Sequence, residues 1–173
     1  MCPRPVLQRP MMSPPLEERI GQWLRQKGET LAIAESCTGG LLGHRLTNIP
    51  GASEYFLGSV VAYSYEAKER VLHVRHETLY THGAVSRETV LEMAQGIRQV
   101  LSSDLGVAVT GIAGPGGGLP GKPVGLTWVA VSSRAGEWSE RHEFHGDRAE
   151  IKAQAAEAAL SLLMQALEGK VQG

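Results

Sequence analysis

Leu31-Ala32-Ile33-Ala34-Glu35-Ser36-Cys37-Thr38-Gly39-Gly40 is the stretch from which the architecture can be read. Five mostly apolar residues suit a buried strand, Leu31 to Glu35. A carboxylate, a hydroxyl, a thiol and a second hydroxyl follow, and then two glycines that permit a sharp turn. Gly39 to Leu46 reads as a helix closed by Pro50-Gly51. Strand, tight polar loop and helix is how α/β enzymes hold a nucleophile beside backbone N–H groups and the positive end of a helix.

The flanking sequence repeats this alternation. Upstream, Leu16, Ile20, Trp23 and Leu24 recur at helical spacing, with Ser13 as N-cap and Gly28 as stop. Downstream, Phe56 to Ser64 reads as a strand, followed by Tyr65-Glu66-Ala67-Lys68 and a short helix through Val74. Ser86 caps an amphipathic helix whose buried stripe is Val90, Met93, Ala94, Ile97, Val100 and Leu101. Val107 to Thr110 is a buried strand. Val124 to Ser132 and Trp138 to Phe144 form a hairpin, and Asp147 with Glu150 is a capping-box start for a last helix whose Ile151, Ala155, Ala159 and Leu162 face inward. The pattern predicts an α/β three-layer sandwich with a mixed, partly parallel sheet and a C-terminal antiparallel hairpin. Residues 1–14 hold four of the nine prolines and no periodicity, and read as a disordered leader; residues 15–170 read as one domain.

Composition narrows the function classes. A net charge of −1 lacks the basic excess of an electrostatic nucleic-acid binder, so no nucleic-acid partner is expected. No apolar run approaches the roughly 20 residues of a membrane span, and Met1 to Pro10 lacks a signal-peptide core. Two cysteines, Cys2 and Cys37, make no disulfide framework, which suits a cytoplasmic setting; the six histidines show no metal-ligand spacing, so neither metal nor cofactor is expected. Gly116 to Lys122 matches the first seven positions of a phosphate-binding P-loop, but Pro123 stands where Ser or Thr must open a helix. A loop lining a ligand is the better reading.

Ser36, Tyr63 to Lys68 and Thr110 each lie just beyond the carboxyl end of a predicted strand. If those strands are parallel, all three meet at one sheet edge, where open α/β folds bind ligands. A partly desolvated Lys68 beside Ser36 is then a Ser-Lys nucleophile and base pair. Ser53 is the rival serine. It precedes the second strand whereas Lys68 follows it, and nine extended residues span roughly 30 Å, so a Ser53–Lys68 pair requires a second chain or a chain that folds back. Cys37 reads as a small buried residue. Arg148, with Lys152 and the start of the last helix, reads as a clamp for a phosphate.

Ala34-Glu35-Ser36-Cys37-Thr38-Gly39-Gly40, Pro50-Gly51-Ala52-Ser53, Val61-Ala62-Tyr63-Ser64-Tyr65-Glu66-Ala67-Lys68, His82-Gly83-Ala84-Val85-Ser86, Thr110-Gly111-Ile112-Ala113-Gly114-Pro115, Lys122-Pro123-Val124-Gly125 and Gly146-Asp147-Arg148 follow in that order. Together they closely resemble the C-terminal domain of the CinA (competence/damage-inducible) family, over about residues 15–168. Tyr65 departs from the family pattern, in which Asn is expected. The resemblance implies nicotinamide-nucleotide amidase activity: nicotinamide mononucleotide and water give nicotinate mononucleotide and ammonia, without metal. It implies Ser36 as nucleophile and Lys68 as base, with Tyr63 and Thr110 orienting the base or amide and the Thr38-Gly39-Gly40 amides holding the oxyanion. Glu35, Gly111, Arg148 and Lys152 are further candidates for lining the substrate site. A homodimer or higher homo-oligomer is expected. Two other classes stay open: a pyridine-nucleotide-binding module without turnover, and an interaction domain in DNA uptake or repair, to which the balanced charge lends no support.

Overall fold

The computed structural model describes residues 14–171. Its centre is a five-stranded sheet of order β2-β1-β3-β4-β5: β1 Leu31–Glu35, β2 Phe56–Val61, β3 Leu105–Gly111, β4 Leu126–Ser132 and β5 Glu137–Glu143. β1 runs parallel to both β2 and β3, and β3–β4 and β4–β5 are antiparallel. The mixed α/β sandwich expected from the alternation is what forms.

The two faces of the sheet are built from different side chains. Leu31, Ile33, Val107, Val109, Val129 and Val131 point to one face, where α1 (Leu16–Lys27), α2 (Leu41–Thr47) and α6 (Arg148–Leu167) cover them. Ala32, Ala34, Ala108 and Ala130 point to the other, against α3 (Tyr65–Leu72), α4 (His76–His82) and α5 (Arg87–Val100). Period-2 alternation thus puts branched residues on one side and alanines on the other. On the alanine side the helix supplies the bulk, through Val90, Met93 and Ile97, so α5 lies close to the sheet. Two glycines permit close contacts here, Gly106 of β3 that of α5 with the sheet and Gly96 of α5 that of α3 with α5. A Cβ on Gly96 would meet the Leu72 carbonyl oxygen at 1.8 Å, and one on Gly106 would meet the Ala94 carbonyl oxygen at 2.1 Å.

Several boundaries differ from the sequence reading, each for a local reason. Ser13 lies outside the described residues, as does most of the predicted leader; the N-cap position of α1 is Pro15, whose carbonyl accepts from the Glu18 and Arg19 amides. Gly28 ends α1 in the left-handed conformation, as expected. β2 stops at Val61 rather than Ser64, because Ser64 is already the N-cap of α3, its hydroxyl accepting from the Ala67 amide. α4 leaves no periodicity in the sequence, being only seven residues with two buried positions, Thr78 and Leu79. Val100 falls off the buried stripe of α5, at 40% exposure, because the helix ends there. The Ser86 cap of α5 and the Asp147–Glu150 capping box of α6 form as read. The glycine loop after β3 leads into β4 instead of a helix, as Pro123 requires.

Because backbone oxygen stands where a Cβ would go, Gly96→Ala should lower stability by about 3 kcal/mol, as overpacking of a tight helix contact does. Urea unfolding checks this; an unchanged midpoint would show that the end of α3 can move off α5 without cost.

Candidate active site

Parallel pairing brings three strand ends together. The Ser36 amide donates to the Val109 carbonyl (3.0 Å), and the Ala62 amide donates to the Glu35 carbonyl (2.9 Å). Ser36, Ala62 and Thr110 therefore stand side by side where β1, β2 and β3 end. After Ala62 the chain turns into α3, whose first turns carry Lys68 back beneath the edge.

Lys68 is fully buried, and its amine faces three oxygens. Nζ lies 2.8 Å from the Ala62 carbonyl, 3.2 Å from the Tyr63 carbonyl and 3.0 Å from Ser36 Oγ. No carboxylate pairs with it among the described residues. Burial disfavours the charged form and lowers its pKa from 10.5 to about 8. A neutral amine has two hydrogens and one lone pair. With the two carbonyls taking the hydrogens, the lone pair is left facing Ser36 Oγ. In its neutral form the amine can accept a proton from Ser36 Oγ. Ser36 is itself buried, at 7% exposure.

The loop around Ser36 is held by Glu35. Its Oε2 accepts from Thr38 Oγ1 (2.7 Å), the Gly40 amide (3.0 Å) and the Leu42 amide (3.1 Å); Oε1 accepts from the Gly43 amide (2.9 Å) and Ser59 Oγ (2.8 Å). Gly39 and Gly40 take φ of 62° and 100°, a pair of left-handed positions that side chains would strain. Of the three amides expected to serve an oxyanion, Gly40's is engaged by Glu35 and Gly39's by the Ser36 carbonyl (3.1 Å). That leaves the Thr38 amide, so the expected three-donor arrangement is corrected to one of the three.

The other candidates fall into two groups. Arg148 reaches the site mouth: one terminal nitrogen donates to the Gly114 carbonyl (2.6 Å) and the other to the hydroxyl of Tyr63 (3.0 Å), whose side chain stands largely exposed. Leu41, Arg148, Ala149, Lys152 and Ala153 line a cleft of about 520 Å³. A Cβ on Gly39 would lie 3.7 Å from Lys152 Nζ, so that lysine stands over the Ser36 loop. Thr110 is buried and donates to the Ala84 carbonyl (2.8 Å), and Gly111 lets the Cys37 sulfur approach, since a Cβ there would lie 3.1 Å from it. Ser53 sits exposed in the 3-10 turn Ala52–Glu54, before β2, away from the strand ends that hold Lys68.

Three features were not read from the sequence. Backbone carbonyls holding Lys68 leave no trace in residue types. The five-donor cradle of Glu35 has a faint signal, an acid ending a buried strand just before a helix start. The Tyr65 hydroxyl accepts from the Ala84 amide (3.2 Å), so the unusual tyrosine clamps the same residue as Thr110.

The family model described as CinA C-terminal domain matches residues 13–167. The chain belongs to the CinA C-terminal domain family. It is 49% identical over 157 residues to a CinA-like protein of Chloroherpeton thalassium, covering 88% of this chain and 37% of that one. Among solved structures, the competence-damaged protein (CinA) superfamily protein of Klebsiella pneumoniae is 39% identical, with a TM-score of 0.86 over 89% of this chain and 96% of that one. The competence/damage inducible protein CihA of Agrobacterium tumefaciens is 40% identical, with a TM-score of 0.82 over 91% and 99% of the two chains. The chain spans only 30% to 38% of the lengths of the curated relatives it matches. Among the described residues, no helix is long and apolar enough to cross a membrane, and no group of three or more His, Cys, Asp or Glu side chains is gathered for a metal ion.

Cys37 is packed in the core, and burial pushes its thiol up to about 12. It should therefore resist iodoacetamide at pH 8 in the native protein and react only after unfolding. Peptide mapping by mass spectrometry reads this directly; rapid native labelling of Cys37 would make it a competing nucleophile.

Proposed function

We propose that this CinA-family domain hydrolyses a carboxamide through Ser36 and Lys68, and that its substrate is nicotinamide mononucleotide. The observation that carries the reading is the uncharged environment of Lys68, with two carbonyls turning its lone pair to Ser36 Oγ at 3.0 Å. Lys68 takes the Ser36 proton as Oγ bonds to the carboxamide carbon. The Thr38 amide is a candidate donor to the resulting oxyanion, a type of contact worth about 3–4 kcal/mol. Lys68 passes its proton to the amide nitrogen, the C–N bond breaks and ammonia leaves. Water then attacks the acyl-enzyme, giving nicotinate mononucleotide and restoring Ser36.

The choice of substrate rests on the family resemblance and on the cleft whose Lys152 stands over the Ser36 loop. Arg148 and Lys152 put two cations at the start of α6, above an apolar floor of Leu41, Ala149 and Ala153. Guanidinium carries five donors, and the contacts to Gly114 and Tyr63 leave others free for a phosphate. The deciding experiment is ammonia release from nicotinamide mononucleotide by the purified, folded protein. No release over the uncatalysed background removes the substrate assignment.

The roles assigned to Lys68 and Arg148 can be tested separately. Lys68→Ala should cost about a thousandfold in turnover, and Lys68→Arg should not restore it, because guanidinium keeps its proton near neutral pH. Since only the neutral amine works as a base, kcat/KM in the wild type should fall about tenfold per pH unit below about 8 and level off above it. Near-normal rates for Lys68→Arg, or a flat profile between pH 6 and 8, would exclude Lys68 as base. Arg148→Ala should raise KM for the mononucleotide by about 10- to 30-fold, the scale of a charge-assisted hydrogen bond, and leave that for the phosphate-free riboside nearly unchanged. Equal losses on both substrates would place Arg148 in structure and not in phosphate binding.

A further inference from the structure

The carboxylate of Glu35 is surrounded by donors of its own chain, three backbone amides and two hydroxyls, at 2.7 to 3.1 Å. It has no exposure. A carboxylate offers about four lone-pair sites, and five donors fill them. Nothing is left with which to accept from a substrate. Two of the amides, Leu42 and Gly43, belong to the first turn of α2, where no intrahelical acceptor exists. Gly40 and Thr38 lie in the turn between the nucleophile and that helix, and Ser59 lies on the neighbouring strand β2. One side chain therefore ties the end of β1, the Ser36 turn, the start of α2 and the middle of β2 together.

We propose that Glu35 is a positioning residue for the nucleophile. It fixes the Cys37–Gly40 turn so that Ser36 Oγ meets the Lys68 amine and the Thr38 amide is held beside the reacting carbon. It acts through Ser36 and never touches substrate. Alternation along β1 is what permits this: Glu35 points to the α2 face, and Ser36, the next residue, turns to the face of α3. The carboxylate thus organises the site without standing next to the amine, whose charge it would otherwise favour. The proposal rests on the Ser36–Lys68 reading and extends it to a residue that the sequence suggested as a substrate contact.

Glu35→Gln puts an amide NH2 where the chain presents donors. Ser59 can rotate to accept from it, but a backbone N–H facing that group cannot. The turn must then shift. The test follows the rate at which a fluorophosphonate labels Ser36, read by peptide mass spectrometry, together with kcat and KM for nicotinamide mononucleotide. Labelling rate and kcat should both fall by at least 30-fold in Glu35→Gln, with KM within threefold and the pH limb still near 8. Binding of nicotinamide mononucleotide to a Ser36→Ala protein, measured by calorimetry, should be the same with and without the added Glu35→Gln substitution. Thr38→Val, which removes one hydroxyl from the cradle, should show the same pattern at smaller size, and it serves if the Glu35→Gln protein does not fold. Labelling at the wild-type rate in either folded variant overturns the proposal. So does weakened binding in the Ser36→Ala background, which would make Glu35 a substrate contact. If fluorophosphonate fails to label Ser36 in the wild type, the nucleophile reading falls first. Labelling without ammonia release would instead count against the substrate alone.

Discussion

A lysine amine buried without a counter-charge is the constraint on which the rest of the site depends. Proteins rarely bury lysine, because water solvates the ammonium far better than two carbonyls and a hydroxyl can. The structure accepts that cost at Lys68, and the result is a pKa lowered to about 8. The sign of the linked stability effect follows. Between pH 8 and 10.5 the unfolded chain holds the proton that the folded chain has released, so stability rises with pH across that window. Below about 8 both states carry the proton and the penalty stands in full. The close packing of α5 on the alanine face of the sheet, and of Leu72 on α3 against α5, is the apolar burial that offsets it.

A carboxylate beside the amine would favour its charged form, and the proposed base would then be lost. Glu35 comes close to being that partner: it is buried, it adjoins Ser36, and it sits at the same strand end. The alternation of β1 separates the two charges by sending Glu35 toward α2 and Ser36 toward α3. Each buried polar group then has its own set of partners, hydrogen-bond donors for the carboxylate and acceptors for the amine. A one-residue slip of β1 would exchange these faces and bring the carboxylate to the lysine. The register with β2 and β3, Glu35 beside Val61 and Val109, is therefore a condition on chemistry as well as on packing.

How much of this was legible in the sequence depends on whether a residue's role lies in its side chain or in its surroundings. The layer order, the caps of α5 and α6 and the meeting of Ser36 with Lys68 were legible because hydrophobic period, cap chemistry and strand ends are written in residue types. The short α4 was not, since two buried positions make no period. The sequence does not say that Glu35 engages the Gly40 amide, one of the expected oxyanion donors. Thr110 was placed correctly at the edge, but its bond to Ala84 depends on a loop 26 residues away in the chain. Tyr65 stood out only as a departure from family pattern, and its partner, the Ala84 amide, is again a backbone group.

The position of Arg148 is set by strand parity. β1, β2 and β3 all end at the edge that carries Ser36, and β4 runs back from it. β5 is antiparallel to β4, and pairs its last residue, Glu143, with the first of β4, Leu126. The chain therefore returns to that edge before α6 begins. With the hairpin present, the positive end of a 20-residue helix, with Arg148 in its first turn and Lys152 one turn on, lies against the Ser36 loop, Lys152 Nζ falling 3.7 Å from where a Cβ on Gly39 would be. With β5 missing, α6 would start at the opposite edge, and no substitution in its first turn could bring a cation to Ser36. The antiparallel hairpin that makes this sheet mixed is thus not an ornament on a parallel core. It is what brings Arg148 and Ser36, 112 residues apart in the chain, to one side of the molecule.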